Sequence, residues 1–138
     1  MLVVIQVDGG TVSARVLIVD DQASFRRAAR KVVELTDGFE VVGEVSSGEE
    51  SVEAARSLRP DLVLMDLRLP GIDGLEASRR IRDMDAPGRG PVILLVSTEE
   101  PADAIGWIEV CGAAAYVPKA EFGSVRLAAA WTSARPSA

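Results

Sequence analysis

The sequence has no histidine, one cysteine, two lysines and few aromatic residues, and each scarcity removes a class of chemistry. Without histidine there is no Ser-His or Cys-His nucleophile pair and no imidazole metal ligand. Cys111 stands alone, so neither an intrachain disulfide nor a cysteine zinc site can form, and nothing calls for an oxidising compartment. Apolar runs such as Val92 to Val96 fall far short of the roughly 20 residues that span a membrane. Leu2 to Val7 lacks the basic flank and small-residue cleavage site of a signal peptide, which makes a cytoplasmic protein the expectation. Positive charge is also in deficit, with 15 Lys and Arg against 21 Asp and Glu and a net charge of −6. That balance argues against direct nucleic-acid binding, because neutralising a phosphate backbone needs clustered basic residues. At 138 residues the chain is the size of one domain, and it shows no internal repeat or low-complexity tract.

Short β-branched runs alternate with stretches of helical period. Val16 to Val19 reads as a strand ending in Asp20-Asp21, followed by a helix with Phe25, Ala28, Ala29, Val32 and Val33 on one face. Asp37-Gly38 marks a turn into a second strand, Phe39 to Val45. Ser47 with Glu50 forms a capping box for a helix carrying Val52, Ala55 and Leu58, which Pro60 stops. Leu62 to Met65 is a third strand ending in Asp66, and the loop after it leads to a helix with Leu75, Ser78 and Ile81. Val92 to Val96 is a fourth strand ending in Ser97. Its helix starts near Pro101, turns Ala104, Ile105 and Ile108 inward, and stops at Gly112. Ala113 to Val117 is a weaker fifth strand before Pro118-Lys119 and a last helix using Phe122, Val125 and Ala129. Five such units predict an α/β fold with a parallel sheet covered by helices on both faces.

In an open parallel sheet, ligands bind beyond the carboxyl ends of the strands. Asp20, Asp21, Asp66, Ser97 and Lys119 all fall at those ends. Three carboxylates brought together repel one another unless a cation or protons neutralise them. Hard oxygen donors without histidine or thiolate select Mg2+, or a similar ion such as Mn2+, which also coordinates phosphate. A hydroxyl and an ammonium at the same rim suit the remaining oxygens of a phosphoryl group. The residues therefore point to metal-dependent phosphoryl chemistry on a carboxylate.

The Asp20-Asp21 pair, the run LVLMDLRLPGIDGLEASRRIR from Leu62 to Arg82, Ser97 and the YVPK ending at Lys119 resemble the receiver domains of two-component response regulators. The resemblance spans about residues 15 to 132. The loop after Asp66 and the phrase VVGEVSSGEE look most like receivers usually joined to a LuxR-type helix-turn-helix domain. It implies a doubly wound, flavodoxin-like (βα)5 fold with strand order 2-1-3-4-5. It also implies that Asp66 is the phosphoacceptor, that Asp21 binds the metal directly, and that Asp20 binds it through water. By the same resemblance the main-chain carbonyl of Arg68 is a further metal ligand, and Lys119 pairs with a phosphoryl oxygen. Ser97 matches the switch hydroxyl and Tyr116 the aromatic that follows it. Pro70 and Gly71 shape the loop beside the acceptor, and Gly74 opens the third helix. The implied partners are a sensor histidine kinase or phosphotransfer protein and, downstream, another protein or a second copy, with no membrane. The receiver would be a signalling domain and not an enzyme, beyond phosphorylating itself from small donors and dephosphorylating itself.

Three departures from the family pattern stand out. Thr98 follows Ser97 where a small residue is usual. Pro118 precedes Lys119 and Ala120 follows it, so no cis bond is expected at 119–120. The sequence ends at Ala138, after the polar tail 133–138, so the expectation is a receiver without the output module usual in this subtype. Residues 1–14 read as an extension: an added edge strand, a mobile arm or a stretch upstream of the natural start. The last two are favoured, because a strand flanked by parallel neighbours has no free edge. Trp107 and Val110 lie off the inner stripe of the fourth helix. With Tyr116, Leu127 and Trp131 they are candidates for the signalling face formed by the fourth helix, fifth strand and fifth helix. Lys31 reads as solvated and Cys111 as a buried small hydrophobe. An aspartate-nucleophile phosphatase is disfavoured because Gln22 and Arg68, not acids, stand two residues after Asp20 and Asp66. A P-loop enzyme lacks its motif. The rival of a different class is a pseudo-receiver, a protein-interaction module that works without phosphorylation.

Overall fold

The computed structural model describes residues 14–98 and 104–134. Five strands alternate with five helices: β1 (Ala14–Val19), α1 (Ala23–Glu34), β2 (Phe39–Val45), α2 (Gly48–Leu58), β3 (Leu62–Met65), α3 (Gly74–Arg82), β4 (Val92–Ser97), α4 (Ala104–Cys111), β5 (Ala115–Pro118) and α5 (Ser124–Ala134). All four strand pairs are parallel, and the order is β2-β1-β3-β4-β5. The doubly wound arrangement expected from the sequence is thus present. Strand order reverses between β1 and β3, which puts a crevice at their carboxyl ends.

Alternation along the strands builds two cores. Leu17, Val19, Val63, Met65, Ile93, Leu95 and Tyr116 face Ala55, Ala77, Ile81 and Cys111 of α2, α3 and α4. Val16, Ile18, Leu62, Leu64, Leu94, Val96 and Val117 face Ala29, Val33 and Leu127 of α1 and α5. A period of two in strands buried on both sides yields continuous apolar runs, which is what Val16–Val19 and Leu62–Met65 show.

Local signals set the helix ends. Ser47 Oγ accepts the N–H of Glu50 at 3.1 Å. The returning Glu50 carboxylate accepts from Ser46 N at 3.0 Å, one residue earlier than a standard capping box predicts. Asp73 caps α3 by accepting from Glu76 N at 2.9 Å. Gly112, at φ +79, closes α4 in the left-handed conformation, and β5 begins at Ala115 rather than Ala113.

Some expected faces are rotated. Phe122 is extended after a 3-10 turn over Lys119–Glu121, so it lies outside α5, whose phase is set from Ser124. Leu127 and Trp131 consequently point to the core side, while Val125 is 82% exposed and Ala129 is exposed as well. Leu127 is fully buried and so leaves the signalling surface proposed for it, while Trp131, half-buried, packs edge-on against Phe39 with centroids 6.1 Å apart. Ala28 also faces outward, and Trp107 is half-buried against the α2–α4 core. Cys111 is buried and Lys31 exposed, as expected. Every peptide bond among the described residues is trans. Expectations for residues 1–13, Pro101 and the tail 135–138, and for the side chains of Ala104 and Ile105, fall outside the described residues.

Candidate functional site

Register brings the acids together. Val19 and Met65 are partners on β1 and β3, so the residues that follow them, Asp20 and Asp66, stand side by side. Their main chains continue the ladder: Asp20 N donates to Val45 O at 3.1 Å and Asp66 N to Val19 O at 3.0 Å. Asp20 and Asp66 are buried and Asp21 is exposed, yet one oxygen from each lies within 4.8 Å of the others.

Asp20 is held firmly. Its Oδ1 accepts the N–H of Gln22 at 2.8 Å, and the Arg26 guanidinium donates to its main-chain carbonyl at 2.7 Å. Its Oδ2, fully buried, lies 2.8 Å from Lys119 Nζ but without the alignment of a hydrogen bond. Lys119 reaches the rim because Ser97 and Pro118 are partners on β4 and β5. Its ammonium is 3.7 Å from Asp66 Oδ2, donates to Gln22 Oε1 at 3.2 Å, and sits 4.6 Å from the centroid of the Phe25 ring.

Asp66 is the unusual acid. Burial, then the negative charge of Asp20, push its pKa up to about 6, against the opposing pull of Lys119 and of a long Arg68 N–H contact at 3.5 Å. The loop after it is held tightly: Gly74 N donates to Leu67 O at 2.9 Å. A side chain at Gly74 would collide with the main-chain oxygen of Asp66, so only glycine lets α3 start here. Beside this loop lies a cleft of about 640 Å3, lined by Asp21, Arg68, Pro70, Asp73, Leu75 and Trp107 among others.

The donor set fits a hard divalent cation such as Mg2+. It offers three carboxylates without thiolate or imidazole, and a fully buried oxygen of one of them, Asp20 Oδ2, lacks an aligned hydrogen bond. At the end of β4, Ser97 is buried, and its main-chain carbonyl accepts from the Tyr116 hydroxyl at 3.2 Å. The Tyr116 ring meets Trp107 edge-on, with centroids 5.6 Å apart. Thr98, one residue past Ser97, is exposed.

All five strand-end residues picked out in the sequence therefore share one rim, with Tyr116 behind Ser97. Val110 is 58% exposed on α4. The sequence reading gave no site role to Gln22, Phe25 or Arg26. Their signal was available in their positions, two, five and six residues after Asp20, where the first turns of the next helix pass over the rim.

The response regulator receiver domain family matches residues 16–131. The response regulator GacA of Pseudomonas viridiflava is 42% identical over 105 residues, which are 76% of this chain and 48% of that relative. The nitrate/nitrite response regulator protein NarL of Escherichia coli is 38% identical over 87 residues, 63% of this chain and 40% of that protein. The chain thus spans about half the length, or less, of the curated relatives it matches. Among solved structures, a LuxR-family two-component response regulator from Aurantimonas sp. is 35% identical, with a TM-score of 0.76 over 88% of this chain and 84% of that one. The signal receiver domain of the putative response regulator NarL from Mycobacterium tuberculosis is 26% identical, with a TM-score of 0.80 over 91% and 99%. This chain belongs to the response regulator receiver domain family.

Proposed function

We propose that the protein is switched by transfer of a phosphoryl group to Asp66 in a histidine-to-aspartate phosphorelay. The observation that carries this is the convergence of Lys119 Nζ, 3.7 Å from Asp66 Oδ2, with three carboxylate oxygens lying within 4.8 Å of one another. The donor is a phosphohistidine on a sensor kinase or phosphotransfer protein, since this chain has no histidine of its own. An Asp66 oxygen attacks phosphorus while the P–N bond breaks. The imidazole leaves with the bonding pair and takes up a proton, and Asp66 becomes an acyl phosphate.

Asp20, Asp21, Asp66 and the main-chain carbonyl of Arg68 would hold Mg2+, or Mn2+, which supplies positive charge for the phosphoryl oxygens. The Lys119 ammonium neutralises another oxygen without giving up its proton. The Ser97 hydroxyl hydrogen-bonds a third, and Tyr116 follows its movement, altering a surface that includes Trp107 and Val110. The readout is association with a downstream protein or a second copy, and the setting is the cytoplasm. In this reading the receiver takes in Ala14, which pairs with Phe39 in β1, and Ala134, which ends α5, one residue earlier and two later than the 15–132 read from the sequence; residues 1–13 are an extension and residues 135–138 a tail. The domain is a phosphoacceptor, not an enzyme acting on a separate substrate.

Incubation with Mg2+ and acetyl phosphate, followed by intact mass, tests this reading. One phosphoryl group should be gained, and Asp66→Asn should abolish it. If no donor, including a phosphorylated histidine protein, gives any gain and Mg2+ has no effect on stability, the chain is a pseudo-receiver.

A further inference from the structure

Besides Asp20 and Asp66, the Lys119 ammonium touches two groups of α1 and its N-cap: the Gln22 amide oxygen at 3.2 Å and the Phe25 ring at 4.6 Å from its centroid. That separation lies within the range of a cation–π contact. Phe25 is braced in turn by Phe122, whose centroid is 6.0 Å away. The Lys119 side chain is only 11% exposed, so little water competes for the ammonium, and such contacts are strongest when desolvated. Lysine is a point charge on a flexible four-carbon stem, and an ion pair alone leaves its direction loosely fixed. Here Asp20 Oδ2 at 2.8 Å and Asp66 Oδ2 at 3.7 Å both lie beside the ammonium, so the ion pairs alone leave more than one direction open to it.

Taking Asp66 as the acceptor, we infer that Phe25 is a positioning residue whose ring face, braced by Phe122, keeps the Lys119 ammonium at the rim beside Asp66, where the phosphoryl oxygens arrive. With acetyl phosphate, an Asp66 oxygen forms the new bond to phosphorus as the bond from phosphorus to the acetyl oxygen breaks, and acetate leaves with that electron pair. Lys119 keeps its proton and supplies charge only. The ring fixes where that charge stands when the phosphoryl oxygens arrive.

Initial rates of incorporation from radiolabelled acetyl phosphate with Mg2+ test the role of the ring. Phe25→Leu should lower the rate about thirtyfold, the size of one desolvated cation–ring contact, and Phe25→Tyr should restore it. In a Lys119→Met background, Phe25→Leu should have no further effect, because no ammonium remains for the ring to hold. A packing residue would behave differently, lowering the rate by the same factor with or without Lys119. Equal rates for wild type and Phe25→Leu, or equal losses in both backgrounds, overturn the inference alone. Wild-type protein that gains no phosphoryl group overturns the proposed function and this inference together. Should Phe25→Leu fail to fold by circular dichroism, Phe25→Met takes its place in the same comparison.

Discussion

The Trp107 indole meets the Tyr116 ring edge-on, its plane inclined by 68°, and the Tyr116 hydroxyl in turn donates to the main-chain carbonyl of Ser97. A fluorescent side chain on α4 is thereby two contacts from the main chain of Ser97 at the strand end. Movement of Ser97 towards a phosphoryl oxygen would shift Tyr116 and the surroundings of the indole. Adding beryllofluoride with Mg2+ should change the Trp emission of the wild-type protein, and Trp107→Phe should remove most of that change. Trp131→Phe should keep it, because Trp131 packs on Phe39 in the other core. A response that survives Trp107→Phe and disappears with Trp131→Phe would sever the proposed link between Ser97 and α4.

The raised pKa of Asp66 has a consequence for stability. Its value of about 6 in the fold, against 3.8 ordinarily, means that the folded protein holds the proton more tightly than the unfolded chain does. Stability from this group is therefore fully present below the ordinary value and is lost as pH rises through about 6. At pH 7.5 without metal, Asp66→Asn should be more stable than wild type by something on the order of 1–3 kcal/mol. At pH 4 that gain should largely vanish. Mg2+ should raise the wild-type Tm at pH 7.5 and do so less at pH 5, because the cation competes with protons for the carboxylates. Thermal melts across this pH range, with and without Mg2+, read both effects.

Most of the fold was legible because buried parallel strands leave unbroken apolar runs. Leu62–Met65 and Val92–Val96 could hardly be anything else, and the polar residue that ends each run marks the rim. The site was legible for the same reason: Asp20, Asp66, Ser97 and Lys119 are the first polar side chains after the runs, and parallel register aligns the strand ends. The last helix was harder to read. Its face depends on where the helix starts, and the 3-10 turn over Lys119–Glu121 delays that start to Ser124. A two-residue change of phase turns about 200° around a helix, enough to exchange buried and exposed positions. The contact between Lys119 and Phe25 joins residues at opposite ends of the chain, and no local pattern in either segment announces it.

Leu127 and Val125 put the corrected phase of α5 to a direct test. Leu127 is fully buried among strand residues, whereas Val125 is 82% exposed. Leu127→Ala should destabilise the protein by about 2–5 kcal/mol, the range for an aliphatic truncation that leaves a cavity. Val125→Ser, at an exposed position, should change stability by no more than about 0.5 kcal/mol. Urea midpoints at constant m-value would distinguish the two. Comparable losses from both substitutions would restore the inner face first read from the sequence.

Gly74 ties the acceptor to the start of α3. A Cβ there would run into the main-chain oxygen of Asp66 and crowd Leu67 Cα, both backbone atoms that cannot rotate away. The N–H of Gly74 also anchors the loop through Leu67 O. In Gly74→Ala the helix start and the acceptor strand must move apart, which should lower stability by about 1–3 kcal/mol, as overpacking commonly does. The strain falls on the residue that carries the carboxylate, so phosphoryl gain should drop further than the melting temperature alone accounts for. Asp66 would no longer face Lys119 at its present separation, and alignment of attacking groups is sensitive to displacements of about 1 Å. Incorporation per folded molecule, measured well below the melting temperature of the variant, separates the two contributions. A Gly74→Ala protein that is less stable yet accepts phosphoryl groups at the wild-type rate would show that the loop relaxes without disturbing the site.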